Sequence, residues 1–248
     1  MKYFLGYDTK ESEAFSVALH SVHAGERYDG DFGVTALHLP TLRDLGLYTR
    51  PTSTRDGKLW DDISGAYMST EHANSRFLVP FLDNEFPGKW ALFTDCDIIL
   101  RRPITDILEQ ADPRFALQVV KHKYEPRETV KMDGQAQQLY ARKNWSSVML
   151  WNTGHPAHKR LTLDMVNTLP GRDLHRFCWL EDSEIGDLTP DWNWLVGHSD
   201  SAITPSIIHY TEGLPSMAGY EDCAFADEWR SVRRDWLGIQ SNQSALAA

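Results

Sequence analysis

Two aspartates one residue apart, Asp95 and Asp97, interrupt the apolar run Phe93-Thr94-Asp95-Cys96-Asp97-Ile98-Ile99-Leu100. Such a run reads as a buried strand. Alternate side chains of a strand share a face, so the spacing puts both carboxylates on one side and Cys96 on the other. Two carboxylates in a low-dielectric place raise each other's pKa unless a cation neutralises them, and a hard divalent ion does that well. The plainer alternative makes Asp97 a turn cap and ties Asp95 to backbone. A second run, Ser206-Ile207-Ile208-His209-Tyr210, ends in a histidine just before the polar loop Thr211-Glu212-Gly213. Imidazole suits manganese as well as zinc, and two carboxylates plus one histidine can hold a catalytic ion with positions left for phosphate oxygens. A histidine at a strand end also serves as a hydrogen-bonded structural residue.

The elements that must bring these residues together follow from apolar periodicity. Lys2 to Tyr7 reads as a strand, and Glu11 to Ala24 as a helix carrying Ala14, Phe15, Ala18, Leu19 and Val22 at helical spacing. Val34 to Leu39 reads as a second strand, Pro40 to Gly65 as a long loop with short pieces of structure, and Met68 to Leu82 as a helix that Pro80 kinks or shortens. Further strands fall at Trp90–Thr94, Phe115–Val120 and Ser146–Trp151, with helices at Ile104–Gln110 and Lys159–Leu169. Lys121 to Lys143 is polar and reads as a loop that orders on binding. This alternation predicts an α/β fold, a mostly parallel sheet with helices on both faces. Such sheets bind ligands at the carboxyl ends of their strands, where Asp8 and the Asp95/Asp97 pair both fall.

At 248 residues the chain can bury a large core, and the reading is one domain over 1–240. Within it, residues 1–110 and 111–225 make two halves, and 226–248 a C-terminal helix and tail. Lys plus Arg number 25 against 35 Asp plus Glu, a net −10 that argues against nucleic acid as a partner. Three cysteines, Cys96, Cys178 and Cys223, show no metal spacing, and an odd number fits a reducing compartment. With neither a signal peptide nor a membrane span in view, a cytoplasmic location is expected.

The order of these segments resembles GT-A-fold glycosyltransferases, most nearly the retaining family 8 group that includes glycogenin and bacterial lipooligosaccharide galactosyltransferases. The segments are Tyr7-Asp8, Ser75-Arg76-Phe77-Leu78-Val79-Pro80, Asp95-Cys96-Asp97, Ser146-Ser147-Val148-Met149-Leu150-Trp151-Asn152, and His209-Tyr210-Thr211-Glu212-Gly213. The resemblance implies a Rossmann-like GT-A sheet and a hexosyltransferase that uses Mn2+ or Mg2+. The donor would be a nucleoside-diphosphate sugar, first of all a uridine diphosphate sugar, and the acceptor hydroxyl would sit on a carbohydrate, lipid-linked or protein partner. It assigns metal ligation to Asp95, Asp97 and His209, with Asp97 most directly bound and Asp95 shared with the ribose. Tyr7 and Asp8 would hold the base, Arg76 the donor sugar or a phosphate, and Ser146 and Gly213 would belong to the nucleotide-sugar site. Asp182, in Leu180-Glu181-Asp182-Ser183-Glu184-Ile185, would stand beside the transferred sugar as a catalytic residue together with Asp97.

Plainer roles stand beside these. Asp8 with Glu11 fits a helix capping box, Arg76 a surface ion pair, and Glu181, Asp182 and Glu184 a solvated acidic turn. The sequence also departs from the family's pattern. Leu214-Pro215-Ser216-Met217 stands where a phosphate-binding lysine belongs, which leaves Lys131 or Lys143 to replace it, and Trp145-Ser146-Ser147 and Ser183 alter the sugar pocket. Trp192 and Trp194 could stack on sugar or pack in the core. Arg230, Arg233 and Arg234 could give the C-terminal helix a peripheral membrane contact or a solvated basic face. Rival readings are a nucleotidyltransferase, a dehalogenase-type phosphatase, and a nucleotide-sugar or carbohydrate binder of the same fold without turnover. The first would carry a Gly-rich basic loop after its first strand, and the second Gly-Thr after its acidic pair. Tyr7-Asp8-Thr9-Lys10-Glu11 and Ile98-Ile99 stand in those places.

Overall fold

A computed structural model describes residues 1–25, 33–82, 90–122, 142 and 144–246. The first strand, β1 (Lys2–Gly6), leads through a 3-10 turn into α1 (Ser12–Gly25) and then β2 (Val34–Leu37) and α2 (Leu39–Asp44). A small antiparallel sheet follows, β3 (Thr52–Arg55), β4 (Lys58–Asp61) and β5 (Ala66–Tyr67), then the short α3 (Val79–Leu82). The chain continues through β6 (Trp90–Thr94), β7 (Ile98–Leu100), β8 (Leu117–Val119) and β9 (Val148–Asn152) to α4 (Leu163–Thr168) and α5 (Gly171–His175). Last come β10 (Ile185–Asp187), β11 (Trp194–Leu195), β12 (Ile207–His209) and α6 (Ala226–Leu246).

The central sheet runs β10-β8-β9-β6-β1-β2. Its strands are parallel except β9, which is antiparallel to both β6 and β8. Strand alternation sorts the core to two faces. Phe4, Phe93, Met149 and Trp151 pack one face with Phe77 and Trp179. Tyr3, Leu5, Leu92 and Leu150 pack the other with Ala18 and Val22 of α1. Both faces are therefore covered, as a sheet of this kind requires.

The acidic pair does not lie within one strand. The central sheet ends at Thr94, and the chain crosses into a second sheet, β11-β12-β7, in which Ile98 of β7 pairs antiparallel with His209 of β12. Asp95-Cys96-Asp97 is the crossing. It is pinned at both ends, because Asp95 N–H donates to Ser147 O (2.9 Å) and Tyr210 N–H donates to Asp97 O (2.9 Å). The flanks are apolar as a strand demands, yet the crossing spares two carboxylates from the sheet interior, where burying them would be costly.

Other expectations are corrected in detail. Met68 to Leu82 is not one helix: only a 3-10 turn at Ser75–Leu78 and α3 form, and Pro80 sits in the first turn of α3, where a missing N–H costs nothing. Lys159 to Leu169 breaks at Thr162, whose hydroxyl caps α4 by accepting from Met165 N–H (3.1 Å). Inside Pro40 to Gly65 a hairpin forms around Asp56-Gly57, both at positive φ (50° and 71°), the torsions that a two-residue turn prefers. Buried Arg50 holds its base, bonded to Asp61 (2.5 Å) and to Leu169 O (2.6 Å).

Trp192 and Trp194 are buried in the core rather than presented to a ligand. Helix α6 packs on α1 through buried Trp229, and Arg233 bonds Glu13 of α1 (2.6 Å) while Arg230 faces Asp227 (3.0 Å). Two of the three arginines on that helix thus meet acids of the protein itself. No described helix is long and apolar enough to cross a membrane.

Candidate active site

The crossing between the sheets brings one ligand atom each of Asp95, Asp97 and His209 within 4.8 Å of one another. His209 is buried, and its Nε2 lies 3.1 Å from Asp97 Oδ1. That ion pair is the one partner Asp97 Oδ1 has among the described residues, and no hydrogen bond of good geometry reaches it. Two carboxylate oxygens and an imidazole nitrogen suit a divalent cation of the manganese type, which could take the place of a proton between His209 and Asp97.

Each ligand is held from behind. His209 Nδ1 meets Asn193 Oδ1 at 2.9 Å, and Asn193 Nδ2 donates to Ser147 Oγ (2.8 Å), which donates on to Asn144 O (2.8 Å). An amide oxygen can only accept, so His209 donates through Nδ1 and faces the acids with Nε2, which carries a proton against Asp97 or, once that proton is lost, offers a lone pair to a cation. Burial depresses the basicity of His209, but Asp97 and Asp95 outweigh it and raise its pKa.

Asp95 is held from more sides. Arg76 reaches it with Nη2 to Oδ1 (2.8 Å) and Nη1 to Oδ2 (3.3 Å), and His72 Nε2 meets Oδ1 at 3.0 Å. Burial pushes the Asp95 carboxyl up, yet Arg76, His72 and His209 together hold it well below the usual carboxylate range. Arg76 also donates to Ser146 O (2.9 Å) and is buried, so it is no surface ion pair. Gly6 makes room for this arrangement. A Cβ there would meet the His72 ring at 2.6 Å.

At the end of β1, Asp8 is buried and accepts from Lys10 N–H (2.7 Å) and Glu71 N–H (2.8 Å). It caps the turn Thr9–Glu11 alone. Glu11 does not close a capping box but lies 3.6 Å from the Cys96 thiol. Burial first, then Asp97, Asp8 and Asp95, push the Glu11 carboxyl up to about 8. Tyr7 sits edge-on to Phe15 and His38 (5.0 and 5.3 Å between centroids).

Ser146 is at the site through its carbonyl, while its hydroxyl meets His175 Nδ1 (2.7 Å). Burial, then Arg76, depress His175 to about 3, so that ring is neutral. Gly213 follows His209 closely and packs under the Tyr220 ring, where a Cβ would sit 2.4 Å from ring carbon. Asp182 is exposed and pairs with Arg142, in a turn where Glu184 caps Glu181; no contact among the described residues brings it to the acidic pair. Lys131 and Lys143 lie outside the described residues. His72, Asn193 and Glu11 were missed as site residues. Asn193 alone carried a signal, a polar residue enclosed by Trp192, Trp194 and Leu195.

Comparison with known proteins places this geometry. The chain is 41% identical over 238 residues, 94% of its length and 86% of the relative's, to Protein CDI of Arabidopsis thaliana. The chain belongs to the CDI family. No protein-family model matches it. Among solved structures it resembles the apo WbbM bifunctional glycosyltransferase (TM-score 0.61, 15% identity, 94% of this chain and 49% of that one). It also resembles the glycosyltransferase GlyE of Streptococcus pneumoniae TIGR4 (0.58, 13%, 99% and 63%). An active-site mutant of LgtC matches over nearly the whole of both chains (0.56, 13%, 95% and 96%). The CDI-family chain spans about half of the WbbM structure and 63% of GlyE. Its fold is the GT-A glycosyltransferase fold, with five of the six central strands parallel.

Proposed function

We propose that this protein transfers a sugar from a nucleoside-diphosphate donor to an acceptor hydroxyl, using a divalent cation held by Asp95, Asp97 and His209. The observation that carries the reading is the convergence of these three side chains at the junction of two sheets, with Asp97 Oδ1 buried against His209 and held by no other described side chain. The fold supports it, since LgtC, which shares it, has been solved with donor and acceptor sugar analogues. Uridine diphosphate is the favoured nucleotide and Mn2+ the favoured ion.

When bound, the cation supplies positive charge to the diphosphate that departs as the glycosidic bond breaks, a Lewis-acid effect typically worth several kcal/mol. The protein's own part is preorganisation. Arg76 and His72 fix the Asp95 carboxylate, and Asn193 fixes the His209 ring, so neither ligand reorients when the donor arrives. In the reaction the acceptor oxygen bonds the anomeric carbon, the carbon–phosphate oxygen bond breaks, and the acceptor proton passes to the leaving phosphate. With front-face attack the anomeric configuration is retained, and NMR of the product's anomeric proton checks this; an inverted product contradicts it.

The test is release of nucleoside diphosphate from a panel of sugar nucleotides, with and without manganese. Release that needs manganese and is lost in Asp97→Asn supports the reading. Donor binding with no turnover of water or any acceptor would make the protein a binder instead, and pyrophosphate-dependent formation of sugar 1-phosphate would make it a nucleotidyltransferase.

A further inference from the structure

A buried polar atom beside the site has no hydrogen-bond partner. His122 Nε2 is shielded from solvent and makes no hydrogen bond among the described residues. The backbone around it is fixed, because His122 N–H donates to Val120 O (3.0 Å) and the Trp145 indole donates to His122 O (3.2 Å). His122 follows the carboxyl end of β8, and β8 runs parallel to β6, so it emerges at the same sheet edge as Asp95. His158 has an unpartnered Nδ1 too, but it follows the reversed strand β9 and so lies at the opposite edge. Buried polar atoms in native proteins nearly always have partners, and an orphan at a ligand-binding edge calls for one from the ligand.

The order of strands says which part of a donor would reach it. A sugar nucleotide is linear, base then ribose then diphosphate then sugar. With the base held by Tyr7 and Asp8, as the GT-A resemblance implies, it would lie at the end of β1, and the cation ligands proposed above, Asp95 and Asp97, follow β6. Continuing the same way across the sheet, β9 and then β8 come next, about 10 Å beyond β6 at two strand spacings. Trp145, whose indole holds the His122 carbonyl, leads directly into Ser146 and Ser147, whose own carbonyls accept from Arg76 and from Asp95 N–H, so His122 adjoins the cation site. Burial, then His209 and His198, depress its pKa to about 4, so the ring is neutral at pH 7. A neutral imidazole suits a hydroxyl better than a phosphate oxyanion.

We infer that His122 reads the transferred sugar: its Nε2 hydrogen-bonds a hydroxyl of that sugar and helps to set which sugar is accepted. The inference rests on the sugar-transfer reading above. A site that bonds a hydroxyl rejects sugars that lack it or carry it in the other configuration, because the buried nitrogen is then left unpaired.

The experiment uses the full chain, His122→Leu and His122→Asn, with manganese and UDP-glucose, UDP-galactose, UDP-xylose and UDP-N-acetylglucosamine as probes. For the sugar the wild type prefers, kcat/KM should fall roughly tenfold to a hundredfold in His122→Leu, with less change for the others, so that the preference flattens. The thermal shift given by manganese with uridine diphosphate alone should stay as in wild type, and the melting temperature without ligand should not fall, since an orphaned polar atom has been removed. An unchanged ratio of kcat/KM between sugars in both variants overturns the inference, as does an equal fall for every sugar accompanied by weaker diphosphate binding. If the wild type itself neither binds nor turns over any of the four, the sugar-transfer reading has failed first and this inference falls with it.

Discussion

Asp95→Asn and Asp97→Asn should part company, although the two residues are neighbours and chemically alike. Asp95 neutralises Arg76, a buried guanidinium that cannot shed its proton. Breaking one side of such a pair typically costs 3–5 kcal/mol, because the remaining charge is stranded. At about 2–4 °C per kcal/mol for a domain near this size, the ligand-free melting temperature of Asp95→Asn should drop by roughly 6–20 °C. Asp97 stands opposite His209, which can lose its proton when its partner is neutral, so no charge is stranded. Relief of the repulsion by which Asp97 raises the Glu11 carboxyl further offsets the change. Ligand-free Asp97→Asn should therefore melt within about 1 kcal/mol of wild type, the range of an ordinary tolerated substitution. Manganese reverses the ranking. At a hundred times its dissociation constant it should add about 2.7 kcal/mol to the wild type, and Asp97→Asn should show none of this. Differential scanning fluorimetry at pH 7.5, with a manganese titration and a chelator control, reads both effects. Equal destabilisation by the two substitutions, with manganese still stabilising Asp97→Asn, would refute the division of labour between the aspartates.

Three further outcomes follow from the same geometry. Asn193→Ala should weaken manganese binding roughly 10- to 100-fold by isothermal calorimetry, since the ligating ring loses the acceptor that orients it. Glu11 has a folded pKa of about 8 against an ordinary 4.5, so its contribution is fully present below pH 4.5 and is lost as pH rises toward 8; urea melts of the metal-free protein should show stability falling across that window, and Glu11→Gln should flatten the slope. Gly6→Ala should drive its new methyl into the His72 ring, lowering stability by about 1–3 kcal/mol and weakening the His72–Asp95 contact, a loss visible in thermal melts.

The carboxylates and His209 were legible because their chemistry is unusual for where they sit, acids in an apolar run and a histidine closing another, whereas Arg76 was assigned by the resemblance alone, with a surface ion pair as its plainer role. What surrounds them was not. Asn193 and His72 acquire their roles from residues 16 and 23 positions away along the chain, and local pattern carries no such pairing. The break at Asp95-Cys96-Asp97 was invisible for a related reason, since β6 and β7 are equally apolar and only β12, more than a hundred residues later, draws the second away from the central sheet. Strand β9 was found, but its reversed direction follows from how the chain returns to the sheet, and side-chain alternation is the same either way. The expected helices Met68–Leu82 and Lys159–Leu169 run over short 3-10 turns, Ser75–Leu78 and the end of Pro156–Arg160, because apolar spacing persists across the point where one element stops and, at Thr162, the next is capped.

The cation is the centre of this account, and diffraction locates it directly. Crystals soaked in manganese and uridine diphosphate, measured on both sides of the manganese absorption edge, should show one anomalous peak in contact with Asp97, Asp95 and His209 Nε2, with diphosphate oxygens completing its coordination. A nucleotide bound with no peak between those three side chains, or a peak held elsewhere, would contradict it.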